Sequence, residues 1–149
     1  MKRFILIMII FGLGSIYVTG QNPNRERLNA YKVAFFTKRL NLTPREAEIF
    51  WPVYNEYQEA KNKIQLERIG INRNFNMNEL NLSEKDMIEA GDRIVDLEVH
   101  EANLTRDFHT RVKEILPPVK IMRLYQAENL YRQQLLKELQ ERRDGRRDF

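Results

Sequence analysis

The chain has 149 residues, 42% of them apolar and 31% charged, with 25 Lys and Arg against 21 Asp and Glu and no cysteine. That length suits one domain able to bury about two thirds of its unfolded surface, and the missing thiols exclude a disulfide framework, a thiolate metal site and a lipid-accepting cysteine. The charge is dense but nearly balanced, which argues against nucleic acid as a partner, since that needs a basic stripe.

Lys2 and Arg3 precede an apolar run from Phe4 to Leu13 and small or neutral residues at Val18-Thr19-Gly20. This is the pattern of an export signal over residues 1–20, cleaved after about Gly20. The alternative is an uncleaved anchor, for which the run is short against about 20 apolar residues and is broken by Gly12, Gly14 and Ser15. Cleavage removes both basic residues and no acid, so residues 21–149 carry 23 basic against 21 acidic side chains. After a polar lead, Leu28, Tyr31, Phe35 and Leu40 recur at helical spacing, with Val33 and Phe36 widening the apolar face. They predict a first amphipathic helix over about residues 25–38.

Leu42-Thr43-Pro44-Arg45-Glu46 has the grammar of a helix start. Thr43 stands at the N-cap, Pro44 at the first helical position, Glu46 where it can reach back to close a capping box, and Leu42 just outside. The second helix is predicted over about 43–69, with Gly70 as a left-handed stop and a kink between Glu48 and Pro52, where the proline ring removes a hydrogen bond. Phe50, Trp51 and Tyr54 at this spacing read as core rather than ligand site, and Trp51 is expected to be largely buried. Ile71 to Asn81, rich in asparagine, reads as a connection. Its Phe75 and Met77 are either partner contacts or residues the loop folds onto the core.

The same grammar recurs at Leu82-Ser83-Glu84-Lys85-Asp86, and Ser83 is expected to cap a long third helix over about 83–115. Met87, Ile94, Leu97, Leu104, Phe108 and Ile115 form its apolar seam, interrupted by Glu101 and Arg111. Gly91 inside it costs about 1 kcal/mol relative to alanine and suggests a close crossing or a bend. Leu116-Pro117-Pro118-Val119-Lys120 keeps the leucine and a proline but lacks the hydroxyl cap, and Lys cannot accept the reciprocal bond. A fourth helix follows over about 118–140, and the charged tail from about Arg142 to Phe149 is expected to fray. No strand pattern occurs, so the expected fold is all-α: one domain of four helices, two of them long, in a curved hairpin-like bundle.

The repeated Leu-Thr-x-x-Glu-like starts resemble the Leu-Thr-x-x-Gln hallmark of the periplasmic Spy/CpxP proteins, with Glu46 for Gln at the first site, and Pro117 for Thr and Lys120 for Gln at Leu116–Lys120. Phe50-Trp51-Pro52 with Tyr54 to Tyr57, and the run from Lys120 to Leu136, are most similar to the Bacteroidetes branch, labelled as sensors associated with ECF-type sigma factors. The resemblance covers nearly all of residues 21–149. It implies a periplasmic, ATP-independent chaperone or envelope-stress adaptor that holds unfolded proteins on a curved platform, commonly as an antiparallel homodimer. The other function it implies is a sensor acting on a membrane-bound regulatory protein.

The inventory offers little for catalysis. After residue 20 the only serine is Ser83, already placed as a cap, and the carboxylates alternate with Lys and Arg as on a solvated face. No enzyme activity and no cofactor is expected. His100 and His109 are nine residues apart, about half a turn out of phase on one helix, so they cannot chelate together; Asp96 with His100 is the weak candidate metal pair, which would make a sensor metal-responsive. Tyr31, Phe36, Tyr57, Phe75 and Met77 are the candidate contacts for a client chain.

Overall fold

The computed structural model describes residues 23–144. The expected export signal and its cleavage point lie outside the described residues, as does the tail beyond Asp144. Four α-helices, α1 (Pro23–Leu40), α2 (Pro44–Asn78), α3 (Glu84–Ile115) and α4 (Pro118–Asp144), and a 3-10 turn at Glu79–Asn81 account for the regular structure, with no strand among the described residues. The all-α expectation with two long helices is met. None of these helices is long and apolar enough to cross a membrane.

Local chemistry explains the starts. Thr43, extended at φ −72° and ψ 159°, accepts from the Glu46 backbone at 3.3 Å while its own N–H donates to Glu46 Oε2 at 2.7 Å. Ser83 and Asp86 form the same reciprocal box at 3.1 and 3.2 Å. Each box satisfies two backbone donors that a bare helix start leaves free, and losing a cap costs about 1 kcal/mol. Leu116 is extended, as a residue before proline must be, and Pro118 opens α4 without needing a backbone donor.

The end of α1 is equally local. Asn41 adopts the left-handed conformation at φ 51°, its N–H donates to the Lys38 carbonyl, and the Leu42 N–H donates to the Thr37 carbonyl. These two bonds make a Schellman stop with asparagine in the place glycine usually takes. Three residues after α1 ends, α2 has begun, with Leu42 packed against the core between them.

Four expectations are corrected. Gly70 does not stop α2, which runs on to Asn78, so the predicted connection over 71–81 is mostly helix. A glycine costs only about 1 kcal/mol in an exposed helix, and the turns around it are held: Asn72 Nδ2 donates to the Arg68 carbonyl across it, and Arg93 of α3 binds Glu67 just before it at 2.7 Å. Gly91 marks no close crossing, because nothing lies within 4 Å of where its Cβ would stand. Trp51 is only partly buried, packing on the rim of the core against Phe36, Phe50 and Tyr54, because Phe50, Tyr54 and Tyr57 at i, i+4 and i+7 take the inward face. α4 stays helical through Asp144, past its expected end at about residue 140. α2 continues through Pro52.

α2 and α3 form one long antiparallel hairpin, and α1 packs along α4. The main core lies where the pairs meet. Phe36 and Leu40 of α1, Phe50, Tyr54 and Tyr57 of α2, Phe108 and Val112 of α3, then Leu116, and Ile121, Leu124 and Ala127 of α4 are all buried together. Tyr57 and Phe108 stack face to face with centroids 4.1 Å apart and planes 7° from parallel. We call this four-helix part the base. Between Gln58 and Asp107 only Ile64 and Leu97 are buried, so the rest of the hairpin is a two-helix arm.

Candidate functional site at the root of the arm

Where the arm leaves the base, α1 and α4 border the middle of α2 across a cleft of about 470 Å³. α2 supplies Tyr54, Gln58, Lys61, Asn62 and Gln65 along one face, α1 supplies Asn29, Lys32 and Phe36, and α4 supplies Glu128, Tyr131, Arg132 and Leu135. All three sets recur at helical spacing of three or four residues, which is why single faces of three helices line it.

Glu101 of α3 also lines the cleft. It interrupts an otherwise apolar seam, and α2 meets it with Lys61 Nζ at 3.4 Å, Gln65 Nε2 at 3.1 Å and Arg68 Nη2 at 3.0 Å. The Tyr57 hydroxyl and Thr105 Oγ1 meet at 3.2 Å one turn away, and Thr105 also donates to the Glu101 carbonyl. A carboxylate taken from water needs such partners, and the clasp holds α2 and α3 in one register. Arg68 Nε is buried without a partner among the described residues.

The cleft shifts its titratable groups mainly by withdrawing water. Burial pushes the Glu128 carboxyl up against the opposing pull of Lys61 and Arg132. Burial, helped by Glu128, pushes the Tyr54 hydroxyl up, so it stays a neutral donor. Burial lowers the Lys32 ammonium, which sits 5.5 Å over the Tyr54 ring. In each case the charged form loses solvation, and only part is returned by neighbours.

Of the expected client contacts, two are corrected. Phe36 is 0% exposed and Tyr57 5%, both locked into the aromatic core, so neither is a surface contact. Tyr31, Phe75 and Met77 are exposed, but apart: Tyr31 stacks on Tyr131 in the base, while Phe75 and Met77 lie near the arm's tip. The motif residues Leu42, Thr43, Glu46, Leu82, Ser83, Asp86 and Leu116 act as helix boundaries. Asp96 and His100 are exposed on α3, and among the described residues no three His, Cys, Asp or Glu side chains converge. His109 Nδ1 meets the Tyr125 hydroxyl at 2.7 Å across α3 and α4.

Lys120 does what the sequence did not show. It stands where the repeated motif would place a capping acceptor; instead its ammonium crosses to the other helix start, donating to the Asn41 carbonyl at 2.6 Å and to Glu46 Oε2 at 2.7 Å. The Lys120 contact, seconded by the Thr43 backbone N–H, holds the Glu46 carboxyl down at about 2. The cleft residues Lys32, Lys61, Glu128 and Arg132 were also missed. The available signal was Glu101, a charge on an apolar seam that calls for polar partners on the facing helix.

The arm carries a second feature. Leu66, Ile69 and Met77 on α2, and Ile88, Val95 and Val99 on α3, are each more than half exposed. Their spacing puts each set roughly opposite the buried Ile64 or Leu97. Both arm helices therefore carry exposed apolar side chains on the outer as well as the inner face. By the same spacing Arg73 falls within the α2 stripe and Asp92 within the α3 stripe, so charge interrupts the exposed apolar side chains. No protein-family model, curated protein or solved structure matches the chain.

Proposed function

We propose that this protein is an exported, ATP-independent chaperone or envelope-stress adaptor of the Spy/CpxP kind, holding unfolded chains without catalysing a reaction. The observation that carries the reading is the row of exposed apolar side chains on the outer face of each arm helix, interspersed with charge. A soluble single-domain protein has no packing reason to keep Leu66, Met77 and Ile88 in water. Scattered apolar side chains gain contact with an unfolded chain without demanding one shape, and the charges beside them attract its opposite charges at longer range. The stripes lie on two separate edges, so one edge can pack against a second copy while the other stays open. We accordingly propose a homodimer in the periplasm.

The test is the aggregation of several unrelated denatured proteins, followed by light scattering with this protein at equal molar ratio and no nucleotide. Delayed aggregation is expected, and Leu66→Ser with Met77→Ser should weaken it while leaving the fold intact. No delay with any client, together with stoichiometric capture of one membrane-bound regulatory protein from envelope extract, would replace the chaperone by the sensor. Light scattering on the protein alone, at tens of micromolar, should report a dimer; a strict monomer removes that part of the proposal.

A further inference from the structure

We propose that the cleft at the root of the arm binds a small hydrophilic carboxylate, an acid whose body carries hydroxyl groups, of which a sugar acid is the simplest kind. The charge balance points to an anion. Lys32, Lys61 and Arg132 line the cleft against Glu101 and Glu128. Glu101 is already held by Lys61, Gln65 and Arg68, and Glu128 is drawn by Lys61 and Arg132. Lys32 is left with no carboxylate within 4 Å among the described residues. Its neighbour is the face of Tyr54, and its burial makes the lone ammonium costly. A ligand carboxylate beside Lys32 relieves that cost with a charge-assisted hydrogen bond.

The rest of the lining selects the body of the ligand. Asn29, Gln58, Asn62 and Gln65 each offer a donor and an acceptor, the same dual capacity that hydroxyl groups present. Phe36 and Tyr54 are almost wholly buried behind the lining, so the apolar side chains that reach the cleft are mainly Leu135 and the Tyr131 ring, which give the body of the ligand a face to lie on beside these amides. The volume lies inside the range of about 300 to 1,000 Å³ usual for small-molecule sites. A peptide fits worse: peptide recognition uses a free sheet edge, an apolar groove for a helix, an aromatic channel or a cluster of arginines, and this cleft presents none of them. The site is also distinct from the outer apolar stripes, so it stands independently of the chaperone reading.

The experiment is isothermal titration of the full chain with galacturonate, with glucose as the hydroxylated neutral, acetate as the bare acid, and a hydrophilic acidic hexapeptide. Galacturonate should bind saturably at one site per chain with Kd below about 1 mM, and glucose and acetate roughly tenfold or more weakly. Lys32→Gln and Arg132→Gln should each weaken galacturonate by roughly tenfold, whereas Lys85→Gln on the arm should not. Arg132 is exposed on α4, so its variant should keep the native circular dichroism even if Lys32→Gln loosens the base. Absence of saturable heat, glucose or acetate binding as well as galacturonate, an Arg132→Gln variant of native affinity, or tighter binding of the hexapeptide would each overturn the proposal.

Discussion

In the base, α1 and α4 close over the first half of α2 and the last part of α3, and eleven buried side chains meet there. In the arm the same two helices continue with only each other to pack on, and only Ile64 and Leu97 are buried. Aliphatic patterning does not separate the regions, since both carry isoleucines and leucines at helical spacing, although Phe75 is the arm's lone Phe, Trp or Tyr among the described residues. Neighbour number does. A helix in a pair can cover one stripe, so a second apolar stripe is covered only where a third and fourth helix arrive. The arm therefore holds its register by polar contacts, Glu101 with Lys61 and Arg68, and Glu67 with Arg93, where the base uses stacked rings.

The largest expected effect tests that contrast directly. Phe50→Ala or Phe108→Ala should cost about 3 to 5 kcal/mol in denaturant unfolding, whereas Leu66→Ala in the arm should stay within about 0.5 kcal/mol. Equal costs would mean that the arm's outer face is covered in solution. Hydrogen exchange should sharpen the same point, with arm amides opening at lower free energy than those around Phe50 and Val112.

Next in size is the clasp. Glu101→Ala strands Lys61 and Arg68 without their acceptor and should cost about 1 to 3 kcal/mol, reduced by the partial exposure of the group. A neutral outcome would show that the register is held by packing alone.

The latch between helix starts has a pH signature. Glu46 is held in the folded state at about 2, below its ordinary 4.5, by Lys120 first and the Thr43 backbone second. A depressed carboxyl stabilises the fold above its unfolded value and loses that contribution as the pH falls through the folded one. The stability difference between native protein and Glu46→Gln should thus be constant above about pH 5 and close progressively towards about pH 2. A difference unchanged by acid would place the effect of Glu46 elsewhere. The smallest expected effect is a gain: Gly70→Ala and Gly91→Ala, each with open space for a methyl group, should stabilise the arm by about 0.4 to 1 kcal/mol. A loss at either position would show that the arm needs its glycines.

What residues alone determined here is what acts over a few residues. Thr43 with Glu46, Ser83 with Asp86, and the prolines at 44, 117 and 118 define helix starts through bonds spanning three or four positions, so the order of helices and the all-α class were legible. Gly70 was misread for the same reason: its local cost is real, but at about 1 kcal/mol it is too small to end a long helix. Tertiary structure alone decided which aromatics are inside. Phe36, Tyr57 and Tyr31 are all aromatics on helical faces, but Phe36 meets both α4 and α2 and Tyr57 stacks on α3, whereas Tyr31 meets α4 alone across helices and stays partly in water. It also decided the reach of Lys120 to Glu46, 74 residues away, and the meeting of Lys32, Lys61 and Arg132 around one cleft. Periodicity reports a face, and what faces it depends on how separate helices pack, which no local pattern encodes.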